Sequence, residues 1–188
     1  MLALLAMSQT APVIQPFPSA DAYAVYSAVI PLRSRDVLPR TPRKFVIVET
    51  TFASKSPSGC FPGKYRHEFR AAFSNFQQVN RQSWQLQRRF QLPHNYHFIT
   101  DQQLAGMRVS SGRNINLFSW DEFYRRFPES GGYFVLSGVG FNPSRNKAVV
   151  TVALRCGPLC AGSTDYLLEK RHGNWVILPV RSSCATES

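Results

Sequence analysis

The sequence predicts an α+β fold, with two or three helices packed on a mainly antiparallel sheet that ends in a C-terminal β-meander. Three observations predict it. Apolar residues recur at helical spacing in two segments of the N-terminal half. β-Branched, alternating runs fill the last third. Clusters such as ESGG, NPSRN and RHGN separate those runs by short turns, as a meander requires. Helices early and strands late are the signature of α+β rather than α/β.

The elements follow in order. MLALLAM is apolar, and prolines at 12, 16 and 18 follow it. This reads as the end of a secretory signal peptide cleaved near Ala11, although no Lys or Arg precedes it and its apolar stretch is short. Residues 1–18 are then leader remnant and Pro-rich spacer, and residues 19–188 a single domain. Ser19 can cap a helix with Asp21 in its first turn, a stripe of Ala22, Val25, Tyr26 and Val29, and Pro31 as its stop. PLRSRDVLPRTPRK reads as a basic loop, KFVIVETTF as a strand, and ASKSPSGCFPGK as a loop carrying Cys60.

Phe69, Ala72, Phe73 and Phe76 fall at i, i+3, i+4 and i+7, so residues 65–79 predict one amphipathic helix with Arg66, Arg70 and Gln77 facing water. SWQLQRRFQLP fits a short strand or an extended connection. NYHFIT fits a strand, and DQQLAGM at most a helical turn. Ser119 lies three residues before Glu122, a capping box that opens a short helix closed by Pro128. YFVLSGVGF, KAVVTVALR, TDYLLEK and NWVILPV then read as strands. The expected core includes Phe69, Phe73, Phe76, Val150, Val152, Leu154, Leu167 and Trp175.

The chain has 188 residues, of which 44% are hydrophobic, enough for a core that needs neither metal nor disulfide. Its net charge is +11, and 17 of the 22 basic residues are Arg. Such a surface favours anionic partners, although no basic run exceeds two residues and an Arg-preferring lineage would show the same balance. Arg88 and Arg89, interleaved with Phe90, Tyr96 and Phe98, together with Arg125 and Arg126, are the candidate anion-binding residues. No stretch reaches the ~18 apolar residues of a membrane span.

The cysteines carry the clearest signal. Cys156 and Cys160 bracket Gly-Pro-Leu between two strands. Zinc would need further ligands at their own short spacing, and His67, His94, His97 and His172 show none. Thioredoxin-type chemistry needs C-x-x-C at a helix N-terminus. The preferred reading is a disulfide across a turn, which an exported protein can keep. Cys60 and Cys184 would then pair by elimination, one of three connectivities open to four cysteines. No metal site, cofactor or catalytic residue emerges. Gly138-x-Gly140 is followed by Pro143 where a dinucleotide fingerprint needs Gly or Ala, so a closely packed or bulged strand explains it better. Ser137 lacks the G-x-S-x-G context, and Glu49, Glu68, Asp121, Glu122 and Asp165 are scattered. Trp120, Tyr124 and Phe127 at helical spacing read as core before they read as a pocket.

WDEFYRRFPESGG, LSGVGFN, AVVTVALRCGPLCAG and YLLEKRHGNWVI make the stretch from Trp120 to Ile177 resemble a group of uncharacterised bacterial proteins that often carry signal peptides. The resemblance implies export and a shared module, and no activity. The strand, turn and Trp-bearing strand at the end are also similar to cystatin-like and nuclear-transport-factor-2-like sheets, which host enzymes and binders alike. The expectation is a secreted, periplasmic or cell-envelope binding or structural module rather than an enzyme. Its expected partner is an anionic polymer or an envelope component. The rivals are a ligand-binding or hydrolase-like pocket in a cone-shaped sheet, and a binder of nucleic acid or acidic polysaccharide through the Arg-rich N-terminal half.

Overall fold

The computed structural model describes residues 14–38, 42–111, 115–184 and 186–187. The apolar leader therefore lies outside the described residues. The chain runs through α1 (Ala20–Val37), β1 (Lys44–Val48), a 3-10 turn (Pro57–Cys60), α2 (Gly63–Glu68), α3 (Arg70–Val79) and β2 (Asn95–Ile99). It continues through α4 (Asp101–Ala105), β3 (Arg108–Ser111), β4 (Ile115–Phe118), α5 (Trp120–Arg126) and β5 (Ser130–Leu136). The meander is β6 (Gly140–Phe141), β7 (Lys147–Gly157), β8 (Cys160–Arg171), β9 (Asn174–Ile177) and β10 (Thr186–Glu187). The α+β class and the C-terminal meander stand.

The main sheet runs β2-β1-β5-β7-β8-β10, with β6 also on β7 and β9 also on β8. β1 is parallel to both β2 and β5, and the other pairs are antiparallel. β3 and β4 form a separate hairpin. β7 and β8 are the longest strands and pair from Lys147↔Glu169 to Gly157↔Cys160. A two-residue turn joins β8 to β9, with His172 at φ 49° and Gly173 at φ 83°, the left-handed pair that a type I′ hairpin needs.

Both faces of the sheet are covered. On one, Phe45, Ile47, Phe134, Leu136, Val150, Val152, Leu154 and Leu168 pack against the Tyr23, Tyr26, Val29 and Ile30 side of α1. On the other, Val149 and Leu167 receive Phe69, Phe73 and Phe76, while Val46, Val48 and Ile99 receive Met107, Phe123 and Phe127. Alternation along β7 therefore separates two buried faces rather than a wet one from a dry one. Seven consecutive residues from Ala148 to Leu154 are buried.

Pro31 does not end α1, which continues through it to Val37. A proline inside a helix costs ~3 kcal/mol. Apolar packing on both sides of it, with Ile30 in the core and Leu32 and Val37 against it, holds the backbone helical. The helix expected over 65–79 is two, broken at Phe69 (φ −103°, ψ 11°), with the phenylalanine stripe intact. Trp175 is half-buried rather than central, packing at the rim against Phe141 with ring centroids 5.6 Å apart. The capping box at Ser119 is half made. Ser119 Oγ accepts from the Glu122 N–H at 3.3 Å, but the Glu122 carboxylate turns to Arg125 and Arg126. Order begins before Ser19, because Phe17 is 3% exposed and its N–H donates to Gln85 O at 2.9 Å.

Asp21, in the first turn of α1, accepts from Arg145 Nε at 2.9 Å and from Lys170 Nζ at 3.1 Å. Arg145, with Lys170 behind it, holds the Asp21 carboxyl below its ordinary pKa. A carboxylate with a depressed folded pKa stabilises the fold at neutral pH, and that stability is lost as the pH falls through the ordinary carboxylate range and then the folded value. Asp21→Asn is therefore expected to flatten the first part of the acid-unfolding curve followed by circular dichroism.

SGVGF is a close packing, as its glycines suggest. A Cβ on Gly140 would lie 2.4 Å from Phe76 N and 2.5 Å from Ala72 O, so α3 rests backbone on backbone against β6. Gly140→Ala is expected to destabilise by ~2–3 kcal/mol in guanidinium unfolding. Gly59→Ala, whose methyl meets nothing within 4 Å, should change stability by less than ~0.5 kcal/mol.

Candidate anion-binding cleft

The phase that turns Phe69, Phe73 and Phe76 onto the sheet turns Arg66, Arg70, Ser74 and Gln77 outward along one side of α2 and α3. Opposite them stands the 3-10 turn, bringing Ser56 and Ser58. Between the two opens a cleft of about 310 Å³, lined by these six residues, with Phe73 also on its wall. Phe61 closes the inner end of the turn, its ring 5.8 Å from that of Phe73.

The turn is held from behind by the C-terminal tail. Cys60 is disulfide-bonded to Cys184, with a Cα–Cα distance of 5.2 Å. Ser183 donates to Cys60 O from its N–H at 2.8 Å and from its hydroxyl at 3.0 Å. The tail is anchored to the sheet at a second point. Asp165 is buried and accepts from Thr151 Oγ1 at 2.7 Å and from Ser182 Oγ at 2.9 Å, so each carboxylate oxygen has a hydroxyl donor. A buried carboxylate needs such partners, and here one comes from β7 and the other from the tail.

Among the described residues no carboxylate lines the cleft. Glu68, the acid nearest in sequence, faces Lys64 and Lys147 instead, at 4.0 and 3.8 Å. Among the described residues neither Arg66 nor Arg70 forms an ion pair. A guanidinium is always charged and only donates, whereas a serine hydroxyl or glutamine amide both donates and accepts. The cleft can therefore receive an acidic group and bind neutral polar groups beside it.

The residues singled out from the sequence lie elsewhere. Arg88 sits over the Phe98 ring at 5.5 Å and Arg89 over Tyr23 at 6.0 Å. Arg125 and Arg126 both hydrogen-bond Glu122. Arg126 first, then Arg125, holds that carboxyl below its ordinary pKa. All four are exposed, but each is already engaged with a ring or a carboxylate. Phe90, the aromatic between them, is buried between Tyr23 and Tyr26 at 5.3 and 5.7 Å.

His97 is exposed on β2, its ring 5.2 Å from Phe127. Desolvation, then Arg88 and Lys44, lowers its pKa, so it is neutral at pH 7. His172 is exposed in the β8–β9 turn. Trp120 and Tyr124 pack as structural aromatics. Trp120 stacks on Tyr133 at 5.9 Å, and the Tyr124 hydroxyl donates to Cys156 O at 2.8 Å. Cys156 and Cys160 are bonded to each other, Cα–Cα 5.0 Å, at the β7–β8 turn, where Leu159 is 88% exposed.

Sequence reading passed over the cleft, recording Arg66, Arg70 and Gln77 only as water-facing. The available signal was their polar stripe with Ser74 at i, i+4, i+8 and i+11, set beside a serine-rich loop that a cysteine could tether. Among the described residues no group of three or more His, Cys, Asp or Glu could hold a metal, and no helix is long and apolar enough to cross a membrane. No family model matches the chain, and no curated protein or solved structure is significantly similar to it.

The Cys60–Cys184 bond joins residues 124 apart in sequence, and in the chain-entropy view removing it costs ~4–5 kcal/mol. The Cys60→Ser/Cys184→Ser variant should show that loss in its guanidinium midpoint. Cys156→Ser/Cys160→Ser, which opens a separation of only four, should lose less.

Proposed function

We propose that the protein is an exported binding module whose ligand is anionic and docks in the Arg66–Arg70 cleft. The observation that carries this reading is a concave site with two unpaired guanidinium groups and no carboxylate in its lining. A cation free of internal partners keeps its full attraction for a ligand. Arg125 and Arg126, turned onto Glu122, have spent much of theirs. The net charge of +11 adds long-range attraction for the same ligands. Export is supported by the two disulfides, which persist in oxidising compartments, and by the resemblance of residues 120–177 to bacterial proteins with signal peptides.

The test uses the oxidised full chain on immobilised heparin as a generic polyanion. Arg66→Gln/Arg70→Gln should elute at clearly lower salt than the wild type. Arg125→Gln/Arg126→Gln should elute close to it. Equal shifts in both doubles would reduce the binding to bulk charge, and no shift in the first would remove the cleft from the account. For export, alkylation of protein taken from its native compartment should find no free thiols, and four free thiols would defeat it.

A further inference from the structure

We infer that the ligand of this cleft is an acidic sugar residue of a polysaccharide, its carboxylate or sulfate held by Arg66 and Arg70 and its hydroxyls by Ser56, Ser58, Ser74 and Gln77. The inference rests on the anionic-ligand reading above and narrows it. Three features carry it.

The first is the balance of donors and acceptors. An oxyanion alone accepts hydrogen bonds and offers none, so it uses only donors. All six polar side chains here can donate, and the four that are not arginine can also accept, a capacity that an oxyanion leaves unused. Sugar hydroxyls also do both, and each can be satisfied twice against such a lining.

The second is size. About 310 Å³ sits at the small end of small-molecule sites, which run from ~300 to 1,000 Å³. A lone tetrahedral oxyanion would leave most of that volume to water, whereas a sugar ring with its acid group would occupy far more of it. The cleft is more open than enclosed, as a site for one unit of a longer chain must be.

The third separates an acidic glycan from single-stranded nucleic acid. Base binding needs an open aromatic face. Phe73, the aromatic at the cleft, is 4% exposed. In the segment that interleaves arginine with aromatics, Phe90 is 7% exposed and the Tyr23 and Phe98 rings lie under Arg89 and Arg88. The half-buried Tyr65 and Tyr96 are engaged too, Tyr65 under Lys64 at 5.7 Å and Tyr96 edge-on to Phe90 and Phe98, so these rings do not stand free beside the arginines.

The experiment titrates trigalacturonate, galactotriose, inorganic phosphate and an oligothymidylate into the oxidised full chain by calorimetry at physiological salt. Trigalacturonate should bind at least about tenfold more tightly than either galactotriose or phosphate, and Arg66→Gln or Arg70→Gln should each weaken it about tenfold, the worth of one charge-assisted contact. Ser58→Ala should weaken trigalacturonate and leave phosphate unchanged, which separates hydroxyl recognition from anion recognition. If phosphate competes as well as the trimer and Ser58→Ala has no effect, the sugar inference fails while the anionic cleft stands. Tighter binding of the oligothymidylate would also overturn it, in favour of nucleic acid. If none of the three anions binds, both readings fail together.

Discussion

The constraint on which the rest of the structure depends is the two-sided burial of β7. Seven successive residues from Ala148 to Leu154 are withdrawn from water, so neither face of the central sheet is left to solvent. One face takes α1, and the other takes α3 and α5. A buried strand also has to place its polar side chains. Thr151 and its cross-strand neighbour Asp165 lie between the α3 and α5 contacts, and the tail is drawn across them so that Ser182 completes the carboxylate's hydrogen bonds. The tail's course thus answers in part to an acidic side chain that Thr151 alone leaves half-satisfied.

That course creates the cleft. Having crossed Asp165, the tail reaches the 3-10 turn and fixes it through Cys60. The turn then stands off α2 and α3 at a separation that leaves a gap. The helical wall of the gap is polar because the opposite side of the helices is apolar. Helix α3 approaches β6 until backbone meets backbone at Gly140, with its phenylalanines facing the sheet and Arg70 and Ser74 facing the turn, in line with Arg66 of α2. The binding surface is a by-product of amphipathic phasing and one long-range tether, which is why it is found on an exposed helix side rather than in the core.

Much of the architecture was legible in the chain because it rests on short-range periodicity. The Phe69–Phe76 stripe, the alternation of β7, the turn at RHGN and the Cys156–Cys160 pair could be read from spacing, and Cys60–Cys184 by elimination, whereas Ser130, Gly131 and Gly132 of ESGG belong to β5 and not to a turn. What escaped was decided at a distance. Pro31 reads locally as a stop, but the apolar packing of Ile30, Leu32 and Val37 around it outweighs the lost hydrogen bond. The parallel pairing of β1 with β5 joins residues more than eighty apart, and nothing in either segment specifies it. Trp175 follows the apolar alternation of its strand but occupies a sheet margin, so its ring is only half covered. The cleft escaped for the same reason. Ser56 and Ser58 look like ordinary loop residues until Cys184, at the other end of the chain, fixes the loop beside Arg66 and Arg70. Arg88, Arg89, Arg125 and Arg126 looked available because sequence shows charge and not the ring or carboxylate already holding it.

The separation of 124 residues between Cys60 and Cys184 sets the order in which the protein can mature. On a chain emerging from its N-terminus, the Cys60 thiol is presented first, and its native partner follows 124 residues later. Cys156 and Cys160 appear in the interval and close on each other across a tight turn. The fold itself edits the alternatives. Cys60 lies beside α3, which packs at Val149, while Cys156 is seven residues further along the same strand, about 20 Å away at the strand rise. A premature bond between them would hold apart the surfaces that β7 must bury, and so would not survive folding. Correct sulfur pairing is therefore a record that the sheet assembled before the last bond closed.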